Sequence, residues 1–354
     1  MPTSPQKKKK TSNAQRNGIL AAGTFVIDRI ATVKDYPADD TYAAVLSETI
    51  TNGGPAFNAL VDWAHMKVPF PLYALGLVGN DDDGRWVRSQ LDQVGVDTSL
   101  LGVHKKARTS VSTIVSATNS RTRTIFHHAG ANAELDAVHF PFEKIKAKIF
   151  FLAFLALLDR LDRVAPKYGT VAAKLFAQAK AQGMITAADV VSDSSGRLPD
   201  LVAAALPYLD HFFCNEVELG LVTSQQVREK SGKLSASRML KAARSLSANA
   251  AGYVVVHTAE GAAAARHGEA AVWQPSLNVP RAEVVGTNGA GDAFAAGYLA
   301  AAHDELPIQK CLERGVLVAS ASLRSATPSQ SVGNLRACEA LSKRWGFRAT
   351  IDLP

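Results

Sequence analysis

From about residue 148 onward, short β-prone runs alternate with longer segments whose apolar residues recur every three or four positions. The runs Lys148–Phe154, Met184–Asp189, His211–Cys214 and Tyr253–His257 predict strands, and Ala165–Ala181, Ser235–Leu246, Ala290–Ala302 and Ile308–Leu323 predict the helices between and after them. Such alternation leaves few architectures open. It predicts an α/β fold whose central, mostly parallel sheet is covered by helices on both faces, with ligands gathering at the carboxyl ends of the strands.

The first third reads differently. Segments 29–51 and 107–128 are rich in Thr, Val and Ser with partial alternation, as in Thr109 to Val115, and predict antiparallel ribbons that leave the main sheet. Helices near Phe57–Met66 and Gly84–Val94 each follow a glycine-bearing loop. With 354 residues, 47% of them hydrophobic, one large core is affordable. The expectation is one domain over residues 18–345 carrying a small β-sheet lid, then a C-terminal tail over 346–354.

The net charge of +7 raises the question of nucleic acid. Residues 1–17 hold Lys7, Lys8, Lys9, Lys10 and Arg16 and no acid, leaving 34 bases against 32 acids elsewhere. The charge belongs to a polar tail expected to be disordered, and no nucleic-acid partner is expected. Cys214, Cys311 and Cys338 are odd in number and far apart, so neither a disulfide framework nor a zinc site is indicated. The most apolar run, Ile149 to Leu158, is too short to span a bilayer, and the N-terminal segment has no apolar stretch. A cytoplasmic protein without a membrane partner is expected.

Chemistry concentrates in Val284-Val285-Gly286-Thr287-Asn288-Gly289-Ala290-Gly291-Asp292-Ala293-Phe294, which ends an extended stretch and opens a helix. Small residues there expose backbone N–H groups at a helix N-terminus, where the unpaired amides and the dipole favour an anion such as phosphate. Asp292 lies in the first turn, where the helix field is expected to keep it ionised. A carboxylate beside a phosphate site supplies the positioning, charge stabilisation and base that phosphoryl transfer needs. The bland alternative is a tight strand-to-helix turn with an ordinary first-turn acid. No Gly-Lys-Ser/Thr follows the glycines, so this is not a Walker loop.

A second glycine turn, Asn52-Gly53-Gly54-Pro55-Ala56-Phe57-Asn58, also leads into a helix; Asn58 is either a polyol ligand or part of a helix start. Asn215-Glu216-Val217-Glu218 fits a helix N-cap equally well.

Thr287 to Phe294, followed by Ala-Ala-Gly-Tyr, resembles the C-terminal signature of the ribokinase-like, or PfkB, family of sugar and nucleoside kinases. The resemblance extends, in the family's order and over roughly residues 18–330, to Asp28, Gly53-Gly54 with Asn58, Gly76 to Gly84, Gly130 to Leu135 and Asn215 to Glu218. It implies a ribokinase-like fold and ATP-dependent phosphorylation of a hydroxyl on a sugar or related small polyol, using ATP and Mg2+. Asp292 would be the catalytic base, and Asn288, Gly289, Ala290 and Gly291 the anion hole. Asp28, Gly53, Gly54 and Asn58 would bind the acceptor. Asn215, Glu218, Thr258, Gly261 and Thr287 would surround the nucleotide and its magnesium, with no direct protein ligand to the metal assigned. Family members often pair through their lids, which makes a homodimer the expected assembly.

The chain departs from the pattern at two points. Gly286 stands where many members have an aspartate that helps hold an activating monovalent cation, so potassium activation is not implied. Thr258 replaces the glycine that commonly begins the nucleotide turn Thr258-Ala259-Glu260-Gly261. Asn288, shared with adenosine kinases, keeps a nucleoside acceptor as an alternative, and the two departures keep a catalytically silent sugar- or nucleotide-binding regulator.

Overall fold

In the computed structural model, which describes residues 16–351 apart from 121 and 194, the uniformly apolar runs become the middle of a nine-stranded sheet. Its strands are β1 (Ile19–Gly23), β4 (Leu72–Gly79), β5 (Asp97–His104), β8 (Ile149–Leu155), β11 (Ile185–Val190), β12 (His211–Asn215), β13 (Tyr253–His257), β14 (Gly261–Ala265) and β15 (Val272–Pro275), in the order β15-β14-β13-β12-β11-β8-β1-β4-β5. Pairings are parallel from β5 to β13 and antiparallel at the β14 and β15 edge. Neighbouring β8 residues feed opposite cores: Ile149, Phe151 and Ala153 join one, Phe150, Leu152 and Leu155 the other. Successive side chains alternate across a strand, so a sheet covered on both faces needs apolar residues at every position.

On the first face lie α1 (Pro55–Met66), α2 (Asp82–Gln93), α7 (Ala290–His303), α8 (Ile308–Ser322) and α9 (Leu335–Trp345); on the second lie α3 (Val171–Ala181), α4 (Leu198–Ala205), α5 (Glu216–Thr223) and α6 (Ala236–Ser247). α3 starts six residues later than its apolar period suggests. Pro166 and Lys167, the latter at φ 74°, turn a short ladder between β9 (Val164–Ala165) and β10 (Gly169–Thr170), after which the Thr170 hydroxyl caps the helix by accepting from Ala173 N–H.

The two excursions meet in a separate four-stranded sheet, order β3-β2-β6-β7, formed by β2 (Val26–Val33), β3 (Val45–Gly53), β6 (Ser110–Ala117) and β7 (Thr122–His128). Each excursion contributes an antiparallel pair, and β2 joins β6 in parallel. Asn132 pins the passage from β1 to β2 by bonding both backbone groups of Phe25 at 3.2 Å. Asp81 accepts from Gly84 N–H and Thr109 N–H, while Asp83 pairs with Arg29 of the lid at 2.8 Å, so the Asp81–Asp83 turn fastens the lid's base.

The first residues of the C-terminal segment are tied to the domain. Phe347 bridges Leu277, and Arg348 N–H donates to the Ser276 carbonyl at 2.8 Å, laying residues 346–348 along the exit of β15. The basic N-terminal tail lies outside the described residues, except for Arg16 and Asn17, which anchor on the loops before β8.

Candidate active site

Two helix N-termini converge beyond the carboxyl ends of the central strands. α1 and α7 pack together, and the Trp63 indole N–H donates to the Ala296 carbonyl at 2.7 Å within that contact. One turn earlier on each helix, Asn58 donates its amide N–H to Asp292 Oδ2 at 2.6 Å and accepts from the Asn52 amide at 2.7 Å. Gly289, at φ 74°, ends the loop in the left-handed region, and no side chain caps the amides of α7. Its Cα lies so close to Pro328 that an added Cβ would stand 2.5 Å from the proline Cβ. Ala290 N–H donates to the Thr287 carbonyl at 3.3 Å, while among the described residues the Gly291 and Asp292 amides meet no acceptor, so these and the dipole of α7 are left for an anion beside Asp292.

The charge of Asp292 differs from the sequence expectation. Burial outweighs the favourable effects around it and raises its pKa to about 6, with the Asn58 hydrogen bond pulling the other way. The helix field does not hold it at an ordinary carboxylate value.

Asp28 faces the same space from β2 and is buried. Burial raises its pKa to about 7, against the Ser112 and Asn288 side chains, which favour its charged form. Gly53 lacks a side chain for a concrete reason: a Cβ there would sit 2.2 Å from Asp28 Oδ1. Gly54, at φ 79°, supplies the N-cap turn of α1. His127 meets Ser112 through Nδ1 at 3.1 Å and so stands behind Asp28.

On the other side of residues 284–291 lies a cleft of about 380 Å³, lined by His257, Thr258, Gly261, Leu277, Val279, Thr287, Gly291 and Phe294, with Arg348 at its wall. Its predominantly apolar lining suits a nucleobase. Thr258 takes over the role of the missing glycine by closing the β13–β14 turn: its hydroxyl accepts from Glu260 N–H and Gly261 N–H and donates to the Gly261 carbonyl. Arg228 holds this edge through Glu216 and Glu260, at 2.6 and 2.8 Å.

Asn215 and Glu218 form a capping box on α5, so the helix-cap reading is realised. Glu218 is nevertheless buried, and burial raises its pKa to about 7. Next to it is a residue that sequence reading treated only as a strand end, Asp189. It is fully enclosed and shifted well upward, first by burial and then by the charges of Glu218 and Asp292. A buried carboxylate at the carboxyl end of a central strand was the available signal. Among the described residues no group of three or more His, Cys, Asp or Glu forms a metal site unaided. The pair instead fits a magnesium ion held by one or two carboxylates, waters and substrate phosphates.

Gly286 is explained by its surroundings. A Cβ there would stand 2.8 Å from the Ser325 carbonyl oxygen, so the aspartate of other members has no room in this backbone arrangement.

The geometry agrees with the relationships of the chain. A 26% identical relative, the ATP-dependent ribose-1-phosphate kinase of Halopiger xanaduensis, aligns over 83% of this chain and 88% of that protein. The ribokinase of Arabidopsis thaliana, solved with ribose and ATP, superposes with a TM-score of 0.75 at 19% identity, over 93% of this chain and 99% of its own. A putative ribokinase II from E. coli, solved with ATP and Mg2+, gives 0.73 at 17% identity, over 92% and 99%. The profile of the pfkB family carbohydrate kinase matches residues 16–333, so the chain belongs to that family.

Proposed function

We propose that this chain transfers the γ-phosphoryl group of ATP to a hydroxyl of a sugar or related small polyol, with Asp292 as the base. The observation that carries this reading is the convergence of the α1 and α7 N-termini, which sets the Asp292 carboxylate, hydrogen-bonded to Asn58, beside the unpaired Gly291 amide at the start of α7. An acceptor hydroxyl approaching Asp292 loses its proton there as its oxygen attacks the γ-phosphorus, and the β,γ-bridging P–O bond breaks to release ADP. The amides of Gly289 and Gly291 face the charge that spreads over the equatorial phosphoryl oxygens. Asp28 accepts from other hydroxyls of the acceptor and orients it.

The nucleotide occupies the cleft between Thr258 and Phe294, which directs its phosphates past Thr287 toward the anion hole. Asp189 and Glu218 hold magnesium or its waters; when bound, the ion neutralises phosphate charge. The lid closes over the acceptor, bringing Ile30 and Ile114 down on the space between the lid and residues 284–288. On the opposite lid face, by strand register, stand Ile50 and Phe126, 57% and 63% exposed, and two copies pair there. A sizing measurement that gives only monomer rejects the pairing. A cytoplasmic setting, where ATP is supplied, is part of this reading. Among the described residues no helix is long and apolar enough to cross a membrane.

The test is ADP release with a panel of ribose, fructose, deoxysugar acids and adenosine, with and without potassium. Turnover that depends on a sugar and is indifferent to potassium supports the reading. Adenosine as the sole acceptor would replace it with nucleoside kinase activity, and ATP binding without turnover on any acceptor would favour a silent regulator.

A further inference from the structure

One polar side chain of the nucleotide cleft, His257, meets no partner in the fold. It ends β13, and strand alternation turns its ring toward α7, away from the core that takes Val254 and Val256. There it packs on Phe294, with ring centroids 5.3 Å apart and planes inclined by 36°. The ring edge carrying Nε2 lies against the first turn of α7: a Cβ added to Gly291 would stand 3.1 Å from His257 Cε1 and 3.4 Å from Nε2. Glycine at 291 is what leaves room for this imidazole.

Among the described residues neither ring nitrogen has a hydrogen-bond partner, and burial alone acts on the charge of the ring, lowering its pKa to about 4. The imidazole is therefore neutral near pH 7, with one N–H donor and one acceptor lone pair. A donor set in a largely apolar cleft is costly until a ligand meets it. Leu277, Val279 and Val316 line the part of the cleft that suits the base, whereas Thr287 and Gly291 line the part next to the anion hole. His257 belongs to this same lining, and Asp292, which the acceptor approaches, does not. A group beside Gly291 on the nucleotide side faces the phosphate behind the one transferred.

We propose that His257 binds the β-phosphate of ATP through Nε2–H and so stabilises the leaving group of the transfer. This rests on the kinase reading above and adds a residue to it. The acceptor hydroxyl gives its proton to Asp292 as its oxygen bonds the γ-phosphorus. The electron pair of the breaking β,γ-bridging bond passes to the β-phosphate, whose growing charge strengthens the hydrogen bond from the imidazole. His257 keeps its proton throughout, and ADP leaves as the anion. A neutral donor suits this place, because a hydrogen bond from a charged group would hold the product more tightly.

The experiment measures the binding of ADP and of AMP, and turnover with ATP, Mg2+ and the best acceptor, for the full chain, H257F and H257Q. Phenylalanine keeps the packing on Phe294 and has no donor; glutamine returns an N–H near the place of Nε2. H257F should weaken ADP binding about tenfold or more, the scale of one hydrogen bond to a charged group, change AMP binding less than about twofold, and lower kcat roughly 100-fold. H257Q should fall between H257F and wild type in ADP binding and in kcat. In the wild type, the imidazole nitrogen resonances that H257Q lacks should shift with ADP and not with AMP, a readout that does not depend on the phenylalanine variant. Equal weakening of ADP and AMP, an unchanged ADP affinity in both variants, or resonances that respond alike to the two nucleotides overturns the proposal. A wild type that binds ADP with these signatures yet phosphorylates no acceptor would instead sink the sugar-kinase reading and leave the contact standing.

Discussion

Asn58 on the first turn of α1 holds Asp292 on the first turn of α7 through a 2.6 Å hydrogen bond, so the orientation of the base depends on packing between two helices 234 residues apart in sequence. The donated N–H favours the charged carboxylate, while burial disfavours it and sets the pKa at about 6. On the proposed mechanism, activity needs the deprotonated Asp292 carboxylate. The free enzyme's kcat/KM should therefore be level above neutrality and fall as pH drops through about 6, not near 4. Asn58→Ala removes a donor to the charged form, so its acid limb should move to higher pH. A limb that stays in place or moves downward contradicts the assigned contact.

Gly289 offers a test of the anion hole that leaves every charge intact. Gly289→Ala places a side chain at φ 74° and 2.5 Å from Pro328 Cβ, whereas Gly268→Ala meets a similar φ of 77° with nothing within 4 Å. Both should lose about 1–2 kcal/mol of stability from the left-handed backbone alone. Only Gly289→Ala should go further, lowering the melting temperature more and reducing kcat by roughly 100-fold, the scale of losing one oxyanion donor. Equal behaviour of the two variants would remove the loop from the site.

Asp28, Asp292 and Glu218 all have pKa values raised above those of exposed carboxylates, to about 7, 6 and 7. Between pH 4 and 7 the folded chain then binds more protons than the unfolded one at these groups, so their contribution to stability is present at low pH and is lost as pH rises through that window. In the presence of a chelator, these groups should make the melting temperature fall as pH rises from about 4 to about 7 and level off above it. Magnesium with ADP should restore more at pH 8 than at pH 6, because the cation replaces the missing protons. Equal restoration at both pH values would remove Asp189 and Glu218 from the metal site.

The C-terminal segment lies beyond residue 333, where the family match ends, yet Arg348 forms part of the nucleotide cleft wall. Ending the chain after Trp345 removes the Phe347–Leu277 bridge and the Arg348 guanidinium together. The KM for ATP should rise several-fold with the acceptor's KM unchanged, and Arg348→Ala alone should reproduce part of the effect. A shift confined to the acceptor would contradict this placement.

The central strands and the Gly289–Asp292 loop were legible because each is encoded locally: β8 needs apolar residues at every position, and the loop needs glycine where φ is positive. β14 was not, because Gly-Ala-Ala-Ala-Ala favours helix on propensity and becomes a strand only where small side chains fit between two buried faces. The helix-field argument for Asp292 failed for a related reason, since a first-turn position is visible in sequence and burial in the fold is not. Asp189 went unnoticed because its significance lies in its neighbours Glu218 and Asp292, each more than 25 residues away. Arg123 and Asn288 became partners only when the lid came down on the loop.

The most direct test of the account is the Asp292→Asn exchange, which preserves shape at α7 and removes the base. With ATP, Mg2+ and the best acceptor of the panel, the variant should fold as the wild type does by circular dichroism, and its kcat should fall by roughly 10²–10⁴-fold. Turnover within a few-fold of wild type, in a correctly folded Asp292→Asn protein, would contradict the account.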